Sequence, residues 1–394
     1  MNILEILSYS HAVCHIILHI AVMIGIILEW SRGRKAPESA GAKVSVVIPV
    51  HNESSRIQGL MRTLITQTYK AQIIFIDDRS SDESPAILAQ FAKEAKERGI
   101  ECKIITLNEN PGPNFKQFAL SRGITESDGD YFLFTDGDCE VPPEWISTMV
   151  SRIQDEKTGA VLGPVFKKKE SNKFFSLFQC YDHILRYNYL TGSTGLGAAG
   201  GGFGNNLIVS KKALAAIGGY DAIPASPTED ASLISQIRST SGDKAGKKFL
   251  IRAITSDGAA VQTEAEKTWP SFLNQSLRWH NGGLFSPEIF TRLNYNLLAL
   301  IISTGILAIP LLPFFPQLWP LPAGVLINMI INTTAAFALY KKEFPHDDLR
   351  QQLGYILCLL FMPVYFTLMT IMSYAKIKTT WKNKELKIEK EKKL

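Results

Sequence analysis

The sequence predicts an α/β fold with a mostly parallel sheet, flanked at both ends of the chain by helices that cross a membrane. Three observations carry that expectation. Between Lys43 and about Glu264, short β-branched runs alternate with helical stretches; both ends hold long uncharged runs; and polar clusters follow the strands. Strands joined by helices make parallel sheets covered on both faces, and such sheets bind ligands at the carboxyl ends of their strands. With 46% hydrophobic and 20% charged residues over 394 positions, the disordered, collagen-like and small disulfide-held classes are excluded. A mean hydropathy of +0.04 fits a water-soluble domain and membrane segments sharing one chain.

The first element, residues 1–30, is apolar from Ala12 to Leu28 except for His15 and His19. No Lys or Arg precedes this run and no small-x-small cleavage site follows it, so an anchor is expected rather than a cleaved signal peptide. Arg32, Arg34 and Lys35 follow directly, which places the N-terminus outside and the chain beyond them in the cytosol. Residues 31–42 read as a linker. The domain over residues 43–264 opens with VSVVIPV (44–50), a helical Ser54–Thr68, QIIFID (72–77) and a helical Ser81–Arg98. CKIITL (102–107), a helical Asn114–Thr125 and YFLFT (131–135) continue the βαβαβαβ pattern.

Residues 265–292 contain an amphipathic stretch, Trp269 to His280, expected at the membrane surface, as is the Phe- and Tyr-rich Ser171 to Leu190. The 48 residues from Leu293 to Tyr340 hold no Asp, Glu, Lys or Arg, and Leu353 to Tyr374 adds 22 more uncharged residues, so residues 293–375 hold two to three segments. The tail, residues 376–394, has eight Lys against three Glu, a surplus of five that equals the net charge of the whole chain. A basic face for nucleic acid is therefore excluded from the body of the chain, and the tail suits anionic lipid headgroups. A cytosolic tail requires that one C-terminal segment cross incompletely, at Pro363 or around Asn328 and Asn332. Five cysteines without a C-x-x-C pair fit a reducing compartment and no structural zinc.

Polar residues just after the strands are the candidates for chemistry. They are His51, Asn52 and Glu53 after the first strand, Asp77 to Asp82 after the second, and Asp136, Gly137 and Asp138 after the fourth. Ser81 and Asp82 read as a helix start. The D-x-D pair is neither a cap nor a hairpin, and two carboxylates at a strand end supply hard oxygen ligands for Mg²⁺ or Mn²⁺, ions that keep water and bridge to phosphates. A nucleoside diphosphate is the natural partner. The glycine run from Gly192 to Gly204 lacks the Lys-Ser/Thr of a phosphate-binding loop and is expected to be a flexible lid or an acceptor loop, with Asn205 and Asn206 beside the acceptor.

VSVVIPVHNE (44–53), IDDRSSD (76–82), TDGDCEVPPEW (135–145), GGFGNNLIVSKKAL (201–214), TEDASL (228–233) and QSLRW (275–279) together resemble the membrane-bound family 2 glycosyltransferases, which include ceramide glucosyltransferases and polysaccharide synthases. The resemblance covers about residues 43 to 282 and implies the Rossmann-like fold called GT-A. It implies that Asp78 reads uracil, that Pro49, His51 and Glu53 wall the nucleotide pocket, and that Lys116 and Asp136 lie by the nucleotide. Asp136 and Asp138 then hold the metal, Asp230 is the catalytic base, and Gln275, Arg278 and Trp279 form the Q-x-x-R-W motif. Glu229 is assigned beside the acceptor. The family more often has Gly where this chain has Arg79.

The reading is an inverting, metal-dependent transfer of sugar from a UDP-sugar to a lipid or lipid-linked acceptor, by a multi-pass protein of the cytoplasmic (inner) membrane with its catalytic domain in the cytosol. A processive polysaccharide synthase and a non-catalytic membrane scaffold are the rival readings.

Overall fold

The structure, a computed structural model, describes residues 2–33, 41–171, 173–224, 228–242, 246–286, 288–340, 349–381 and 384–385. Arg34, Lys35, Lys341, Lys342 and most of the lysine tail lie outside the described residues. The chain forms two compact units. One holds Leu28–Lys167 and Ala199–Glu264; the other holds Met1–Ile27, Lys168–Ala198 and Ala265–Leu394. The domain expected over residues 43–264 is thus interrupted, because Lys168–Ala198 packs with the apolar helices.

In chain order the elements are α1 (Ile3–Gly33), β1 (Val44–Val50), α2 (Ile57–Leu64), β2 (Gln72–Asp78), α3 (Ser84–Glu97), β3 (Cys102–Leu107), α4 (Phe115–Thr125) and β4 (Tyr131–Phe134). There follow β5 (Cys139–Glu140), α5 (Trp145–Ile153), β6 (Thr158–Leu162), β7 (Val165–Lys167), α6 (Phe174–Gly195), β8 (Leu207–Ser210), α7 (Lys211–Ala216) and α8 (Glu229–Ser239). The chain continues through β9 (Leu250–Ala253), β10 (Val261–Thr263), α9 (Trp269–Leu284), α10 (Ile289–Ala308), α11 (Pro320–Leu339) and α12 (Leu349–Tyr374).

A seven-stranded sheet of order β3-β2-β1-β4-β8-β6-β9 is the spine of the first unit. The strands β3, β2, β1 and β4 run parallel, whereas β8 is antiparallel to both β4 and β6. Burial on both faces explains why β1 and β2 read as continuous apolar runs: Val46, Val47, Ile48, Ile74, Phe75 and Ile76 are all buried. One stripe of α2, formed by Ile57, Leu60, Met61 and Leu64, closes on this core. At Gly123 α4 lies so close to the sheet that a Cβ would stand 2.5 Å from Val47 and 2.6 Å from Ile76, so only glycine permits that approach. A second sheet, β5-β10-β7, follows the D-x-D loop.

The other unit is helical. Four stretches, Ile3–Gly33, Ile289–Leu311, Pro316–Leu339 and Leu349–Tyr374, are long and apolar enough to cross a membrane. Leu7, Ile17, Leu293, Leu300, Leu353 and Leu360 are exposed on them, a surface suited to lipid and not to water. Such helices mark a membrane protein. Pro363 lies inside α12 without ending it, and Asn328 and Asn332 are buried within an unbroken α11, so helix length does not single out an incomplete crossing. Buried Phe178 and Tyr181 seat α6 in this unit, with Phe178 against Phe361 and Tyr365 of α12 and the Tyr181 hydroxyl 2.5 Å from Thr333 of α11.

Candidate active site

The carboxyl ends of β1, β2 and β4 converge, and hydrogen bonds join the loops that leave them. The His51 Nδ1–H donates to the Asp78 carbonyl at 2.6 Å, and the Asn52 N–H donates to Ser80 Oγ at 3.0 Å. Return bonds run from Ser81 N–H to Asn52 Oδ1 at 2.8 Å and from Glu53 N–H to Ser84 Oγ at 2.9 Å. Asn52 and Arg79 each take a left-handed backbone, with φ of 55° and 57°, which turns the chain sharply off each strand. Pro49 is the last but one residue of β1, paired in register with Ile76. Asp82 accepts from the N–H groups of Ser84 and Ser54 at 2.9 and 3.0 Å, a start signal for α3. Burial is the largest single effect and works to raise its carboxyl, but these bonds together outweigh it and hold the carboxyl well below the usual carboxylate range.

The D-x-D loop follows β4. Asp136 Oδ1 stands 2.7 Å from Lys116 Nζ, and Asp138 Oδ2 stands 3.6 Å from Arg56, which also pairs with Glu53. Both acid side chains keep an open face, 30% and 24% exposed. Among the described residues no three His, Cys, Asp or Glu side chains gather into a cage. Two half-open carboxylates, each steadied from behind by one cation, fit an ion that completes its shell with water and phosphate oxygens. Burial, reinforced by Asp138 and Asp136, pushes the Cys139 thiol up, so it stays protonated and has no nucleophilic part.

Asp230 lies at the start of α8, where its Oδ2 accepts the Gly204 N–H at 2.9 Å and its Oδ1 the Ala231 N–H at 2.8 Å. Burial and the neighbouring charge of Glu229 push its carboxyl up to about 7, against the pull of Lys116 and those two N–H donors. Lys116 on α4 is the hub of this edge. Burial works to lower its ammonium, but Asp136, Glu229 and Asp230 together hold it above the usual lysine range. Glu229, expected beside the acceptor, is buried and accepts from Asn114 Nδ2 at 3.4 Å.

Asn206, also expected beside the acceptor, lies in the core. It is fully buried, accepting from Trp145 Nε1 at 2.9 Å and donating to the carbonyls of Pro164 and Ala259 at 2.7 Å. Asn205 is half-buried, 3.5 Å from Cys139 Sγ. Arg56, Asn110 and Asn114 were not legible as site residues, since no spacing rule marks them; Asn110 donates to Asp78 Oδ2 at 2.9 Å.

Gln275, Arg278 and Trp279 lie on α9, in the helical unit. There Gln275 Nε2 donates to Glu266 Oε1 at 3.0 Å. The Trp279 ring meets His183 edge-on at 5.2 Å and has the Arg186 guanidinium 5.6 Å above it. Asp182 holds Arg186 at 2.8 Å. Arg278 is half-buried.

Residues 45–218 match the family model described as Glycosyl transferase family 2. This stretch, on a mixed α/β fold with a central sheet, is thus similar to family 2 glycosyltransferases. Among curated relatives, the undecaprenyl-phosphate 4-deoxy-4-formamido-L-arabinose transferase of Photorhabdus laumondii is 36% identical over 143 residues, 35% of this chain and 40% of that one. The beta-monoglucosyldiacylglycerol synthase of Trichormus variabilis is 28% identical over 243 residues, 61% of this chain and 48% of that one. The chain thus spans less than half the length of these relatives. A mannosyltransferase from Pyrobaculum calidifontis, solved with GDP-Man and Mn²⁺, superposes with a TM-score of 0.48 at 16% identity, covering 94% of this chain and 99% of that one.

Proposed function

We propose that the protein is an inverting glycosyltransferase that moves a sugar from a UDP-sugar to a lipid or lipid-linked acceptor at the cytosolic face of the cytoplasmic membrane. The observation that carries this reading is the meeting of three motifs at one sheet edge: Lys116 bonded to Asp136 of D-x-D and within electrostatic reach of Glu229 and Asp230. Asp230 accepts the acceptor hydroxyl proton as the acceptor oxygen attacks C1. The bond from C1 to the diphosphate breaks with its electron pair leaving on the diphosphate, and configuration at C1 inverts. Lys116 offsets part of the charge that develops there. Asp136 and Asp138 are the residues that would hold Mg²⁺ or Mn²⁺, which supplies neutralisation of the leaving diphosphate when bound.

The lipid acceptor is supported by the exposed apolar helices and by the names of the two relatives, one a transferase for undecaprenyl phosphate and one a glucosyldiacylglycerol synthase. Trp279, clamped by His183 and Arg186, and Gln275, bonded to Glu266, are assigned to the acceptor side. Placement in the cytosol rests on Arg32, Arg34 and Lys35 beside the first apolar helix. The test is release of UDP from UDP-sugars by membranes holding the full chain, with and without EDTA and an extracted lipid fraction. Lipid-dependent release that EDTA abolishes is expected; release that ignores both additions overturns the reading.

A further inference from the structure

Arg79 occupies the turn after β2 in a left-handed backbone that glycine adopts freely and arginine rarely. Such a residue persists where its surroundings over-determine it. Here the side chain is held from two directions. Its Nε–H donates to Asp78 Oδ1 at 2.8 Å and an Nη–H reaches Asp78 Oδ2 at 3.4 Å, while the guanidinium carbon lies 4.7 Å from the centre of the Phe115 ring. Asn110 holds the same carboxylate from the other side, donating to Asp78 Oδ2 at 2.9 Å and to the Phe115 carbonyl at 3.0 Å. Asp78 is 5% exposed, so the group that completes its shell is a ligand edge or nothing.

Counting acceptor positions decides which edge fits. A carboxylate offers about four, and Arg79 and Asn110 take up to three of them, so about one remains. The guanidinium beside it keeps N–H donors in reserve, since it has about five in a planar fork. The turn therefore presents one acceptor with donors next to it. Uracil has the matching edge, a single N3–H between two carbonyls. Guanine offers two adjacent donors, N1–H and the 2-amino group, and needs two free acceptors. Cytosine and adenine place a ring lone pair where uracil has its N3–H, and can offer the carboxylate only the amino N–H at the rim of that edge.

We propose that Arg79 is the residue that restricts this pocket to uracil nucleotides, by filling all but one acceptor position of Asp78 and donating to a uracil carbonyl. The inference rests on reading the carboxyl edge as a nucleotide site and names the side chain that sets its selectivity.

The experiment is calorimetric titration of the full chain in detergent, with Mg²⁺ and with UDP, GDP and CDP in turn, for wild type, Arg79→Gly and Arg79→Lys. Wild type is expected to bind UDP at least about tenfold more tightly than GDP or CDP, since buried polar groups left unmatched reject the wrong edge. Glycine is at ease in this backbone, so Arg79→Gly should fold, lose about tenfold in UDP affinity and bind GDP nearly as well as UDP. Arg79→Lys keeps the charge without the fork and should lose selectivity similarly; full selectivity in it overturns the donor count. Wild-type binding of no nucleotide refutes the nucleotide site itself. UDP binding with an unchanged UDP/GDP ratio in Arg79→Gly overturns the Arg79 inference and leaves the site standing, as does tighter UDP binding by that variant, which would mark the guanidinium as a competitor for Asp78.

Discussion

Two charge clusters in the same unit have opposite balances, and the difference separates the proposed reactive site from a structural one. Around Lys116 stand Asp136, Glu229 and Asp230, three acids to one base. Around Glu29, at the end of α1, stand Arg32 at 2.6 Å, Arg152 at 3.1 Å and Arg252 at 3.8 Å, three bases to one acid, with the Ala253 N–H donating at 3.0 Å. Glu29 is fully buried. Burial lowers the guanidinium groups of Arg152 and Arg252, yet arginine starts so far above neutrality that each keeps its proton. An excess of arginine makes a fixed lattice of charge. An excess of carboxylate leaves one acid, Asp230, raised to about 7, where a proton is exchanged near neutral pH.

Replacing Asp230 by Asn breaks the first cluster most directly. The amide keeps shape but takes no proton, so turnover should fall by about 10³-fold or more while UDP binding stays, as single-turnover assay and titration would read. An active Asp230→Asn with an inactive Glu229→Gln would reverse the assignment. In the second cluster, Glu29→Gln leaves three guanidinium groups without their buried counter-charge, and stability should drop by about 3 kcal/mol in detergent melts, with kcat per folded molecule unchanged. A change in kcat instead would make that cluster part of the chemistry.

Asp138→Asn removes one ligand of the proposed ion, and a loss on the order of 10² in kcat is expected, with EDTA giving a similar loss in wild type. Activity that persists in EDTA would reject the metal. The smallest effect is on pH dependence. Asp230 must be ionised to accept a proton, so kcat/KM should rise with pH up to about 7 and then level. Glu229 raises the Asp230 carboxyl and Lys116 lowers it, so Glu229→Gln should move the limb down and Lys116→Met should move it up, each by about one pH unit. Limbs that stay in place would detach Asp230 from the rate.

Much of the parallel half of the sheet is legible because β1 and β2, buried on both faces, are written as the apolar runs VSVVIPV and QIIFID, while the edge strand β3 begins where CKIITL begins. The antiparallel β8 was hidden, because LIVS is four residues long and its partners, Tyr131 to Phe134 and Ala160 to Leu162, are far away in the chain. The glycine run gave no sign that Asn205 and Asn206 would part: both lie in the turn before β8, and only the packing of Trp145 shows that Asn206 belongs to the core.

By itself the sequence determined the apolar helices, the alternation that makes the sheet, and the acids at its strand ends. These are local properties of composition and period. Only the tertiary structure decided which acid would hold its proton near neutrality, since Lys116, Asp136 and Asp230 are far apart in the chain and a carboxylate's proton affinity depends on burial and on charges a few ångströms away. It decided likewise that the half-exposed Arg79 would reach Asp78 and Phe115, because a ring brought in at the start of α4 supplies the surface on which the guanidinium rests.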